Sequence, residues 1–112
     1  MKPLNKISDI TSEQAKIEFD ITQKLVSGED AVLQTGTRIF AQDVIDLMYD
    51  LSPEKFIDAH HLVMSTSQAY QNQGRGILID LRTQAVSTLI RRHGAVIYTL
   101  AQEKAEEVSH VA

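Results

Sequence analysis

Ile17, Ile21 and Leu25 recur every fourth residue, and Phe19 and Val26 widen the stripe they draw. That period places apolar side chains on one face of an α-helix, whereas a half-buried strand would alternate them. The ends of the segment agree. Thr11-Ser-Glu-Gln14 fits a capping box, in which each side chain reaches the other residue's backbone amide, and Ile10 and Ala15 occupy the hydrophobic-staple positions. Gly28 supplies the stop. A helix over about 12–27 is expected, with residues 1–10 a flexible lead-in and 11–112 a single helical domain.

Residues 29–37 fit either a short hairpin turning at Thr35-Gly36 or a loop with one helical turn. Thr37 is then a fair N-cap for a second helix. Phe40, Val44, Leu47, Met48 and Leu51 form its apolar stripe, and Asp43, Asp46 and Asp50 fall on the opposite side. Ser52-Pro53-Glu54 is a strong helix start, with a capping hydroxyl, a proline at the first helical position and an acid at the positive end of the dipole. The face Phe56, Ala59, Val63, Thr66 and Tyr70 carries this third helix onward until Gly74 and Gly76 stop it. Helices over about 77–92 and 95–109 follow, apolar on two sides and so suited to burial between neighbours or in a dimer. The sum is an all-α, compact antiparallel helical domain of four to five helices. The β-branched runs Val86–Ile90 and Ala95–Leu100 keep open an α+β alternative with a C-terminal β-hairpin.

Composition narrows the function. The chain of 112 residues is one domain's worth, with three Phe, three Tyr and no Trp, so its core must rest on aliphatic side chains. A chain this small buries about two-thirds of its unfolded surface, which leaves little margin and favours a homo-oligomer. With no cysteine, disulfides, thiolate metal sites and cysteine nucleophiles are ruled out. The N-terminal ten residues lack the apolar core of a secretory signal, and no apolar run approaches a membrane span, so a cytoplasmic protein with no membrane partner is expected.

Charge is uneven. Residues 1–62 hold eleven acids against six bases, whereas 70–95 hold Arg75, Arg82, Arg91 and Arg92 against Asp80 alone. Asp43, Asp46 and Asp50, with Tyr49 beside them, are the candidate partner-binding surface for a basic protein. The four arginines suit bidentate pairing, either with the acidic half of the molecule or with phosphate. Residues 41–59 can be laid on a helix-turn-helix, but the would-be recognition helix carries Glu54 and Asp58 against Lys55, a poor match to a polyanion. Asp58-x-x-His61 and Glu107-x-x-His110 have the spacing of carboxylate-bridged di-metal bundles without the further glutamates such sites need. No Gly-x-Ser-x-Gly elbow occurs, and Gly74-Arg75-Gly76 lacks the rest of a phosphate loop.

The expectation is therefore a protein that is not an enzyme and takes no cofactor or metal. It is a cytoplasmic interaction or regulatory protein of adaptor, chaperone-like or inhibitor type that binds another protein as a homodimer. The alternative is a small DNA- or RNA-binding regulator that uses the arginines of residues 75–92.

Overall fold

The computed structural model describes residues 7–111, with side chains placed for 8–107. Helix α1 runs over Ile7–Val26. It starts about a turn earlier than its capping signals imply, so Thr11 and Gln14 lie inside the helix rather than at its first turn. Ile10 is buried against Ala101 and Ala105, and this burial carries the helix back into the expected lead-in. Residues 1–6 lie outside the described residues. The far end is as read: Gly28 adopts φ 85°, its amide donates to the Leu25 carbonyl, and Glu29 donates to Lys24. That pair of bonds is a Schellman motif, and only glycine takes the left-handed position without strain.

The next segment is the hairpin of the two options. Strands β1 (Ala31–Val32) and β2 (Arg38–Ile39) pair antiparallel, Ala31 opposite Ile39. Its inward residues Ala31, Leu33 and Ile39 close one end of the main core. Helix α2 (Ala41–Leu51) follows directly. Its cap is not Thr37. The Asp43 carboxylate accepts from the Phe40 amide at 3.0 Å, and the Asp30 carboxylate, from before the hairpin, accepts from the Ala41 amide at 2.7 Å. Both acids sit where the dipole favours negative charge.

Ser52 alone separates α2 from α3 (Pro53–Val63). The continuous face expected through Tyr70 is broken at Met64–Ser67. There the Ser65 hydroxyl accepts from the Ser67 amide, and the Gln71 side-chain amide donates to the Ser65 carbonyl. Such local side-chain bonds compete with helix continuation. Helix α4 (Gln68–Arg92) then runs straight through Gly74 and Gly76, which are no stop at all. Gly74 is buried where α4 crosses α3. A Cβ there would stand 2.6 Å from the Ala59 carbonyl oxygen and 2.9 Å from side-chain atoms of Leu62 and Val63.

Helix α5 (Gly94–Val111) follows after His93, and no C-terminal hairpin forms. The hydrogen-bond ladder nearly survives the break, since His93 donates to Leu89 and Ile97 donates to His93. The two helices barely touch each other and continue as one bent rod. At about 1.5 Å per residue their lengths sum to roughly 65 Å, the long dimension of a molecule that measures 65 × 23 × 18 Å. Helix α1 lies antiparallel along this rod, Gly28 near Arg82 and Ile10 near Ala105. Helices α2 and α3 cover the other half. The architecture is all-α, with the two-stranded hairpin its sole sheet among the described residues.

The close approach at Gly74 separates two roles that the sequence presents alike. Gly74→Ala should destabilise the fold by about 1–3 kcal/mol, because a backbone oxygen cannot move aside as a side chain would. Gly76→Ala meets nothing within 4 Å and should stabilise by about 0.5–1 kcal/mol through helix propensity. Urea unfolding of the two variants checks both signs.

Candidate functional site

The acids of α2 divide by what they touch. Asp43, the first of the expected binding residues, is committed to capping its own helix. Asp46 accepts from Gln42, one turn back, at 2.9 Å. Asp50 has no hydrogen-bond partner among the described residues. Of Asp43, Asp46, Asp50, Glu54 and Asp58, none is paired with a cation among the described residues, where Lys16–Glu13 is the ion pair seen.

Between Asp46 and Asp50 the surface dips into a shallow apolar depression lined by Ile45, Tyr49 and Phe56. Tyr49 is 46% exposed. Its ring meets Phe56 edge to face at 5.8 Å, and Phe56 lies 4.5 Å from the His60 ring. His60 is itself held by an Nδ1 contact of 2.8 Å to the Phe56 carbonyl oxygen. An aromatic row thus crosses the α2–α3 corner, with carboxylates at its edge. The spacing of Asp46, Tyr49 and Asp50 pointed to this surface, whereas Phe56 was readable only as part of a helix face and nothing in the sequence sets His60 beside it. Their part depends on the turn at Ser52, which brings residues seven apart into ring contact.

The arginines do not form the patch the alternative requires. Arg75 and Arg82 stand about 20° apart around α4, two turns along, but Arg92 is about 80° from Arg82 and Arg91 lies on the far side. Arg82 is half-buried, with its guanidinium beside Gly28 at the C-terminal end of α1. Arg91 donates weakly to the Thr88 hydroxyl at 3.4 Å. None of the four makes an ion pair with the acidic half among the described residues. The helix-turn-helix register also fails, because α2 continues through Leu51 and leaves one residue where a three- or four-residue turn belongs.

Among the described residues, no three His, Asp or Glu side chains come together to hold a metal; the side chain of His110 lies outside them. Ser52 and Lys55 stand at Ser-x-x-Lys spacing at the start of α3, and no hydrogen bond joins them among the described residues. No described helix is long and apolar enough to cross a membrane. No family model, curated protein or solved structure matches this chain.

The division of labour among the acids is measurable. Asp43→Ala and Asp30→Ala should each cost about 1 kcal/mol of stability as lost caps. Asp50→Ala, which removes no hydrogen bond or ion pair among the described residues, should stay within about 0.5 kcal/mol of the parent. Thermal or denaturant unfolding distinguishes the two groups.

Proposed function

We propose that this protein is a non-catalytic, cytoplasmic interaction protein of regulatory or adaptor type, which works as a homodimer and grips another protein at the α2–α3 corner. The observation that carries the reading is the half-exposed Tyr49 ring set edge-on to the partly buried Phe56 and flanked by carboxylates that pair with no cation among the described residues. An aromatic anchor in a depression, surrounded by charge, is the usual arrangement of an energetic hot spot. The acids set the partner's chemistry. They suit a basic segment that carries an apolar or aromatic side chain to fill the depression, with charge complementarity speeding encounter and fixing register.

The test uses the full chain, immobilised and exposed to lysate of its native source. Capture of a stoichiometric protein that weakens with salt is expected. Tyr49→Ala should cost about 2 kcal/mol, roughly thirtyfold in affinity, and Asp46→Lys with Asp50→Lys should abolish capture while leaving the helical signal intact. A partner held equally well by all variants would overturn the assignment, as would the absence of any stoichiometric partner.

A further inference from the structure

We infer that the groove between α1 and α4 is the face on which a second copy of this chain docks, to form an antiparallel four-helix bundle across a two-fold axis. The inference rests on the homodimer in the reading above and is independent of the acidic corner. Its first support is a pattern common to both helices. Ala15, Phe19, Thr22 and Val26 on α1, and Ile79, Thr83, Val86 and Ile90 on α4, each repeat at intervals of four, three and four. That is the spacing of a helix–helix seam rather than of a solvated face. These stripes flank one groove, floored by Thr22, Val26, Val86 and Ile90. Phe19 and Ile79, the outermost members, are each 62% exposed. Two antiparallel helices whose stripes border one groove, Val86 buried in it and Phe19 and Ile79 exposed, are half of a four-helix bundle.

Charge and area favour a second copy as the occupant. The groove holds one acid and one base, Glu18 from α1 and Arg91 from α4. Neither has an ion-pair partner among the described residues. A two-fold axis beside them would bring each Glu18 onto the partner's Arg91, so the face is its own electrostatic complement. Thr83 is no obstacle to burial, because its hydroxyl already donates to the Ile79 carbonyl at 2.9 Å. The chain exposes 7365 Å², about 1,200 Å² more than a compact monomer of its mass. A stable interface takes about 800 Å² from each partner, well within that excess.

Sedimentation of the full chain should give twice the 12.5 kDa chain mass. Phe19→Glu and Ile79→Glu alter exposed side chains, so the helical signal should persist while the dissociation constant rises about a hundredfold or more. Glu18→Arg and Arg91→Glu should each weaken the dimer about tenfold, and the two together should restore it. Tyr49→Ala should leave the mass unchanged, which separates this result from the fate of the partner site. A monomeric parent chain would overturn the inference. So would a dimer indifferent to Phe19→Glu and Ile79→Glu, or a double charge reversal that fails to rescue.

Discussion

Everything in this molecule hangs on the apolar side of α1. Helices α4 and α5 pack little on each other across the bend at His93, and the rod is linked there by the bonds from His93 to Leu89 and from Ile97 to His93. Helix α1 lies over the bend and packs on both sides of it. Ile21 and Leu25 join Val86, Leu89 and Ile97 in the main core, and Ile10 meets Ala101 and Ala105 in a second cluster, with Ile17 touching both. Leu25, Ile97 and Val86 are almost wholly buried, and each is worth about 1.5–3 kcal/mol as area removed from water. The helix is a splint held by aliphatic packing, with no buried polar side chain among the described residues.

That arrangement explains both surfaces of interest. Stretching the rod gives a radius of gyration of 18.1 Å, against about 13 Å for a compact chain of this length. The extra length leaves the α1–α4 groove uncovered along one side. At the other half, α4 approaches α3 at Gly74 too closely for a Cβ to fit, and α2 joins α3 through a single residue. The tight turn at Ser52 then sets Tyr49 beside Phe56 and points the α2 carboxylates outward.

Much of this was readable from residue spacing. The Ile17, Ile21 and Leu25 stripe of α1, its glycine stop, the Ser-Pro start of α3 and the break near residue 93 all rest on local rules, and the hairpin was one of two options; Phe19 and Val26, expected on that stripe, are exposed instead. The failures share a cause: each depended on a neighbour distant in sequence. Ile7 to Thr11 carry too few apolar residues to draw a period, yet Ile10 finds Ala101 and Ala105. Gly74 reads as a stop because the sequence does not reveal that another helix lies against it. Thr37 is the better cap by residue type, yet Phe40 takes the position because Asp30 and Asp43 satisfy the first amides. The acidic half of the candidate site was legible because its members share one helix. Its aromatic half was not, since Phe56 and His60 belong to the next one. The arginines are close in sequence, but the helical turn spreads them around α4.

The most direct measurement of the splinted rod is a distance. The chain has no cysteine, so Gln73→Cys with Glu103→Cys places two spin labels on exposed positions of α4 and α5 without competing sites. The doubly labelled protein, diluted into unlabelled chain, reports the intramolecular separation. A bent rod predicts a single population near about 45 Å, thirty residues at helical rise. A population near about 20 Å, the separation in a folded-back hairpin with axes about 10 Å apart, would contradict the account.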